Sequence, residues 1–149
     1  MYIPKSDYEK ILKVLPILCV DCIITYNGKC LLLRRINEPA KGQYWFPGGR
    51  VYKSEKIKDA ALRKAHEEVR VMCEFDKVIS VEETMFARQG DMPTDIHTVN
   101  VCCHLFAINV DNFAMDNAHD WFYWVNAEEA KMLNPHEGVL APLLKCLAE

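Results

Sequence analysis

The chain has 149 residues, of which 50% are hydrophobic and 26% are charged, and its net charge is −3 at pH 7. This length and composition fit one globular domain over residues 1–149 with a sizeable core. A negative net charge provides no general field that would recruit nucleic acid. The first residues lack an apolar targeting core and no apolar run approaches about 18 residues, which argues against secretion and against a membrane span.

The seven cysteines indicate a reducing compartment, and we expect the cytoplasm. Their number is odd, and most lie in apolar runs, as buried thiols do. Cys19 and Cys22 have two residues between them, and this odd spacing of three would send their side chains to opposite faces of a strand. A zinc site that combines them with residues 102–104 is an alternative, although no second closely spaced ligand pair follows the zinc-ribbon spacing.

In the first half of the chain, apolar runs and turn signals predict a helix, a hairpin and a short aromatic strand. Ser6 and Glu9 have the spacing of a capping box, and Pro16 ends the helix that they would begin. Asn27 and Gly28 predict a tight hairpin turn. The predicted elements are a helix over 6–14, strands over 17–25 and 29–35, and an aromatic strand over 44–46.

In the second half, strands and polar loops precede two helices. The predicted strands are 72–84, which we expect to be bulged, 97–110 and 121–125; the predicted loops are 87–96, expected to be mobile, and 116–120. Asn126 and Glu129 form a second capping box for a short helix to about residue 133. Asn134 and Pro135 predict the start of a terminal helix, unless Pro142 delays it.

The stretch 48–71 carries the residues that point to a specific chemistry. Its glycine pair, Gly48 and Gly49, can expose backbone groups without an intervening Cβ. A helix that begins near Glu55 would place Arg63 and Glu67 on one face, because they are four residues apart.

The adjacent residues Glu67 and Glu68 close this pattern. On a helix they project about 100° apart, so they would flank one edge of a site. Two carboxylates and a nearby backbone carbonyl form a hard-oxygen site that suits Mg²⁺ or Mn²⁺ and leaves positions open for phosphate oxygens.

This spacing resembles the Nudix box, in which a glycine is followed by a glutamate, an arginine and a late pair of glutamates. Lys64 stands where the box has the first glutamate after its arginine, and Arg70 replaces its late glycine. The resemblance implies the Nudix fold, an α/β/α sandwich with a central mixed sheet. The box residues that match are Gly49, Glu55, Arg63, Ala65, Glu67, Glu68 and Val71.

Outside the box, the chain is similar to a narrower group, the GDP-mannose mannosyl hydrolases. The similar stretches are 37–42, 44–46 and 47–51, with Asp21 in the first long strand and His119 and Asp120 before an aromatic strand. In that group water attacks the anomeric carbon of the sugar, and the metal-bound diphosphate leaves. The resemblance therefore implies Mg²⁺-dependent hydrolysis of a nucleoside diphosphate sugar, with Mn²⁺ as an alternative cofactor.

The resemblance also implies a metal site formed by the Gly48 carbonyl, Glu67 and Glu68. Glu67 falls on a ligand of ordinary Nudix enzymes that the mannosyl hydrolases tend to lack. Ala118 stands where the group offers an amide side chain to the metal, so one ligand is missing from the pattern.

The substrate and catalytic roles follow from the same resemblance. Arg35 and Arg50 fall on positions that contact the diphosphate, and Asp21 falls on an acidic position near the substrate. His119 falls on the general base, which makes His119, Glu68 and Arg35 the catalytic set.

Structural alternatives remain open for several of these residues. His119 could be an ordinary loop histidine and Asp21 a hydrogen-bonded buried acid. The two arginines of the substrate site could be solvated surface charges. Trp45 and the aromatic cluster 121–124 are more typical of a core than of a base-stacking platform. Glu55 and Arg63 are expected to form a structural pair that braces the loop against the helix.

Two further functions remain open. The first is attack at phosphorus, which would cleave the diphosphate of a nucleotide sugar, an ADP-ribose-like compound or a nucleoside triphosphate. The second is a degenerate module that binds a nucleotide without hydrolysing it, suggested by Lys64, Arg70 and Ala118. A small nucleoside diphosphate derivative is the expected partner, without nucleic acid or membrane, and the resemblance is compatible with a homodimer.

Overall fold

Seven strands form one mixed sheet in the computed structural model, which describes residues 1–149. Four helices accompany the sheet. In chain order the elements are α1 (Lys5–Val14), β1 (Ile17–Tyr26), β2 (Lys29–Arg35), β3 (Tyr44–Trp45), β4 (Gly48–Arg50), α2 (Ile57–Val69), β5 (Met72–Phe86), β6 (Ile96–Asn109), β7 (His119–Val125), α3 (Ala127–Leu133) and α4 (Glu137–Ala148).

Strand β1 lies at the centre of the sheet. It pairs in parallel with β6 and in antiparallel fashion with β2 and β4. Strand β5 pairs with β6, and both β3 and β7 pair with β2, all antiparallel. The sheet is therefore mixed, and the α/β fold predicted from the sequence is confirmed.

Two apolar cores cover the two faces of this sheet. Val20, Cys22 and Ile24 of β1 belong to the core that also contains the buried residues of α2. Ile23 faces the other way, into the core formed with α3 and α4. Fully burying a side chain of this size contributes about 1.5–3 kcal/mol. The alternation along β1 thus gives the helix–sheet–helix layering.

The first half of the chain differs from prediction at helix α1 and at the glycine pair. Helix α1 begins at Lys5 after Pro4 and has no side-chain cap, so the predicted capping box at Ser6 is wrong. The predicted turn at Asn27 is confirmed, with a positive φ of 51° there. The stretch Gly48–Arg50 is strand β4 rather than an open turn, because it pairs with β1.

Helix α2 begins at Ile57, two residues after the predicted start at Glu55, and ends at Val69. Its C-cap Arg70 has φ 58° and ψ 30°, the left-handed conformation. A glycine adopts this conformation without a Cβ penalty, whereas an L side chain loses roughly 1–2 kcal/mol. The replacement of the late box glycine by arginine therefore keeps the helix-ending geometry at a modest energetic cost.

In the second half, the bulged character of β5 is confirmed by register shifts against β6. The capping box at Asn126 and Glu129 is also confirmed. Helix α4 is capped by His136, two residues after the predicted start, and Pro142 lies inside it instead of delaying it. Strand β7 begins at His119, which the sequence had suggested as a loop residue.

The seven cysteines are free thiols, and five of them are buried. Cys22 lies in the core beneath α2, whereas Cys19 faces a cleft on the other side, so their predicted opposite orientation is confirmed. The one cluster of side chains suited to a metal contains no cysteine, which leaves the zinc alternative unsupported. None of the four helices has the length and apolar character needed to cross a membrane.

Candidate active site

A cleft of about 220 Å³ opens at the end of the sheet where β1 and β4 pair. It brings together four of the predicted site residues, Asp21, Arg35, Gly48 and Glu68. The other lining residues are Tyr8, Cys19, Pro39, Ala40, Trp45, Phe46, Gly49, Thr84, Phe86, Ile96, Thr98 and Asn100.

Glu68, in the last turn of α2, is the central acid of this cleft. It is only 6% exposed, and the backbone N–H of Gly48 donates to its two carboxylate oxygens at 3.2 and 3.4 Å. A Cβ at position 48 would collide with the Val20 carbonyl and lie 2.7 Å from Oδ1 of Asp21. Only glycine therefore fits at position 48, where β4 passes between Glu68 and Asp21.

Burial raises the pKa of the Glu68 carboxyl to about 7, and Asp116 acts in the same direction. The nearby charges of Lys64 and Arg35 and the Gly48 N–H oppose this shift without cancelling it. A buried carboxylate of this kind is stabilised by an additional cation.

The segment that leads into β7 is fastened to the end of α2 by its backbone. The N–H of Asp116 donates to the Glu68 carbonyl at 2.9 Å, and that of Ala114 donates to the Val69 carbonyl at 3.1 Å. The Ala118 carbonyl accepts from the N–H of Ile36 at 3.1 Å. These main-chain bonds bring the last turn of α2 and the start of β7 together.

His119 and Asp116 form a hydrogen-bonded pair at the start of β7, next to the last turn of α2. Nδ1 of His119 lies 2.7 Å from Oδ1 of Asp116, and the histidine side chain is 3% exposed. Ala118 N–H donates to the same Oδ1 at 3.2 Å, which leaves Oδ2 of Asp116 for another partner. With Nδ1 donating to the carboxylate, the other ring nitrogen carries the lone pair.

Glu68, Asp116 and His119 each offer a ligand atom, and these atoms lie within 4.8 Å of one another. The two carboxylates suit a divalent cation such as Mg²⁺ or Mn²⁺, because these ions prefer oxygen ligands, and the imidazole is then free for another role. Sequence reasoning missed Asp116 because its proximity to Glu68 arises from the backbone bonds between loop and helix. The available signal was its spacing of three residues before His119.

Asp21 begins a polar ladder across the floor of the cleft. Its Oδ2 accepts from Nδ2 of Asn100 at 3.1 Å, and the ladder continues through Thr98 to Thr84. Burial raises the pKa of the Asp21 carboxyl to about 7, although hydrogen bonds from Trp45 and Asn100 favour its charged form. The sequence pattern identified Asp21 but not its three partners, which come from distant strands.

The two predicted diphosphate arginines lie in different places. Arg35 lines the cleft and pairs in register with His119, and its Nε donates to the Pro39 carbonyl at 2.8 Å. Arg50 does not line the cleft. Its Nη2 donates to the Met1 carbonyl at 2.9 Å, and its guanidinium lies 5.7 Å from the ring centroid of Tyr8.

Arg63 connects the loop before α2 with the helix itself. It donates to Glu55 at 2.7 and 2.9 Å and to the Arg50 carbonyl at 3.0 Å, and its guanidinium lies 3.8 Å from the Tyr52 ring centroid. The predicted structural pair of Glu55 and Arg63 is confirmed. Arg63 also contacts Glu67, whose side chain is 44% exposed and lies outside the cleft and outside the metal-ligating cluster.

A sequence model of the NUDIX domain matches residues 16–145 of the chain. The chain belongs to the Nudix family. It is 32% identical over 117 residues to the low-salt glycan biosynthesis protein Agl8 of Haloferax volcanii, covering 78% of this chain and 75% of that protein. It is 26% identical over 144 residues to the ADP-ribose pyrophosphatase of Methanocaldococcus jannaschii, covering 96% of this chain and 82% of the relative.

Solved structures agree with this Nudix assignment at the level of the fold. A Nudix hydrolase from Nitrosomonas europaea has a TM-score of 0.70 at 19% identity, over 90% of this chain and 71% of that one. The MutT protein from Methanosarcina mazei Go1 has a TM-score of 0.67 at 19% identity, over 90% and 91% of the two chains. The family model and the sequence relatives, rather than these structures, identify the protein as a Nudix hydrolase of nucleoside diphosphate derivatives, in a family that uses divalent metal ions.

The Nudix protein should lose stability with rising pH because of Asp21. The folded protein keeps the Asp21 proton up to about pH 7, whereas the unfolded chain releases it near the ordinary value of 3.8. This carboxyl therefore makes its full contribution to the free energy of unfolding below about pH 4. The contribution falls by on the order of 4 kcal/mol as the pH rises to about 7.

Asp21→Asn should make this decline shallower, because the variant has no carboxyl to ionise at position 21. Urea unfolding of the metal-free protein between about pH 4 and 8 measures the slope. Asp91→Asn, at an exposed loop position, is the control and should behave as the parent. A variant slope equal to that of the parent would contradict the assignment.

Proposed function

We propose that this Nudix protein hydrolyses a nucleoside diphosphate sugar at the anomeric carbon, releasing the sugar and a nucleoside diphosphate. One observation carries the proposal: the Asp116–His119 pair, 2.7 Å apart, lies beside the buried acid Glu68. An imidazole oriented by a carboxylate is suited to take a proton from water, and a site with a cation beside it is suited to a diphosphate leaving group.

The metal would be held by the carboxylates of Glu68 and Asp116, together with the Gly48 carbonyl. Oδ2 of Asp116 is available for this role, since both hydrogen bonds to its carboxylate go to Oδ1. When bound, Mg²⁺ or Mn²⁺ supplies positive charge that stabilises the departing diphosphate. The metal role that the resemblance implied for Glu67 is not part of this proposal, because its carboxylate contacts Arg63 and Lys64.

His119 would act as the general base. Its Nδ1 donates to Asp116, so the lone pair of Nε2 accepts the proton from the attacking water. Inverting glycosidases use a general base in the same way, on the face of the sugar opposite the leaving group. Here no acid is required on the leaving group, because a diphosphate is already a stable anion.

Arg35 and Asp21 would bind the two halves of the substrate. The Nε of Arg35 is fixed by the Pro39 carbonyl, which leaves its terminal N–H groups for phosphate oxygens. Asp21, fixed by Asn100, offers hydrogen bonds to a sugar hydroxyl. Arg50 could reach a diphosphate only after leaving its contact with Met1.

Two features favour attack at carbon over attack at phosphorus. Lys64 replaces a box glutamate of ordinary Nudix enzymes, and Glu67 is neutralised by two cationic side chains. Helix α2 therefore lacks a free second carboxylate for activating water at phosphorus. The relative from Haloferax volcanii is named for glycan biosynthesis, which is compatible with a sugar substrate.

The second candidate function is cleavage of the diphosphate at phosphorus. The specific observation in its favour is the similarity to an ADP-ribose pyrophosphatase over 96% of this chain. The two reactions differ in which product receives the oxygen atom of water.

Hydrolysis in ¹⁸O-labelled water distinguishes these two functions. A panel of nucleoside diphosphate sugars is incubated with the protein and Mg²⁺ or Mn²⁺, and the products are identified by mass spectrometry. We expect the label in the free sugar and an unlabelled nucleoside diphosphate. Label in a phosphate product would instead support the pyrophosphatase, and the absence of any product would support a binding module.

His119→Gln should lower kcat by roughly 10²–10⁴-fold, because glutamine cannot take a proton from water. The same variant should keep its affinity for Mn²⁺, since the carboxylates supply the metal site in this proposal. Steady-state kinetics and a Mn²⁺ titration measure the two effects. His66→Gln, at an exposed position on α2, is the matched control. An unchanged kcat in His119→Gln would remove the histidine from the reaction.

A further inference from the structure

Lys64 is the residue of the box helix that departs most sharply in charge from the Nudix pattern. Its ammonium lies 3.3 Å from Oε2 of Glu67 and 3.9 Å from Oε2 of Glu68. It therefore bridges the two adjacent acids that the sequence pattern assigns to a metal. The position between these two carboxylates holds a positive charge that belongs to the chain itself.

The Lys64 side chain is held by packing. It is 19% exposed, and its stem lies against Gly49, where an added Cβ would be 2.6 Å from Cε of the lysine. An ordinary surface ion pair has two long, solvated side chains and contributes little. Here one partner, Glu68, has a side chain only 8% exposed, so the ammonium is fixed beside a buried charge.

Glu67, whose side chain is 44% exposed, contacts two cations of the chain. Nη1 of Arg63 lies 3.3 and 3.2 Å from its two oxygens, and Lys64 contacts one of them. A divalent ion shared by Glu67 and Glu68 would need oxygens at about 2.0–2.6 Å. It would have to enter the space next to the Lys64 ammonium, where the repulsion between the two positive charges is strong.

We propose that Lys64 is a built-in cation that takes the place of a second divalent ion and limits the site to a single Mg²⁺ or Mn²⁺ per chain. This inference rests on the proposed function, because it concerns the same metal site. The single ion lies on the side of Glu68 that faces Asp116, and Lys64 keeps the side that faces Glu67 closed.

Counting bound Mn²⁺ by the electron paramagnetic resonance signal of the free ion tests this inference. The parent protein should bind one Mn²⁺ per chain. Lys64→Met keeps the length of the stem but removes the charge, and it should bind two Mn²⁺ per chain, the first of them about tenfold more tightly. Lys64→Arg, which keeps the charge, should bind one.

Lys58→Met, at an exposed position on the same helix, is the matched control and should bind one Mn²⁺. Circular dichroism and thermal melting verify that each variant is folded. Two ions in the parent protein would overturn the inference without any variant, and one ion in folded Lys64→Met would overturn it while leaving the proposed function intact. No ion in the parent protein would overturn both.

Discussion

The buried carboxylate of Glu68 is the constraint on which the rest of the site depends. It lies one residue before the end of α2, where the helix dipole disfavours a negative charge and burial disfavours it further. One backbone N–H from Gly48 and the nearby charges of Lys64 and Arg35 offset only part of this cost. A bound cation would supply the remainder, and in the proposed function this cation is the divalent metal.

The surrounding structure keeps this acid in place from two sides. Strand β4 passes so close to β1 that only glycine fits at position 48, and this close approach brings an N–H to Glu68. On the other side, the Glu68 carbonyl accepts from the N–H of Asp116. The carboxylate and the His119 pair are therefore coupled through main-chain bonds, which fix distances more tightly than flexible side chains do.

Much of the fold follows from local sequence signals. The hairpin at Asn27, the capping box at Asn126 and helix α2 each depend on residues close together in the chain, and all three are confirmed. Strand β4 was not predicted because its three residues, which include the glycine pair, show no hydrophobic periodicity. They form a strand only because they pair with β1. Helix α1 was misassigned at its start because Ser6 makes no capping bond.

The residues of the candidate site were predictable where the chain resembles the Nudix box or the mannosyl hydrolase group, and unpredictable where they depend on tertiary contacts. Asp21, Arg35, Gly48 and Glu68 come together in one cleft, and the resemblance identified all four. Asp116 could not be found from spacing alone, since its distance to Glu68 is set by the loop that returns to the end of α2.

The position of a bound ion tests the central claim most directly. Crystals grown with Mn²⁺ and a nucleoside diphosphate, measured for the anomalous signal of manganese, would locate it. We expect one peak, ligated by the carboxylates of Glu68 and Asp116, with the Lys64 ammonium still on Glu67. A peak shared by Glu67 and Glu68 with Lys64 displaced, or a Glu68 carboxylate without a metal, would contradict the claim.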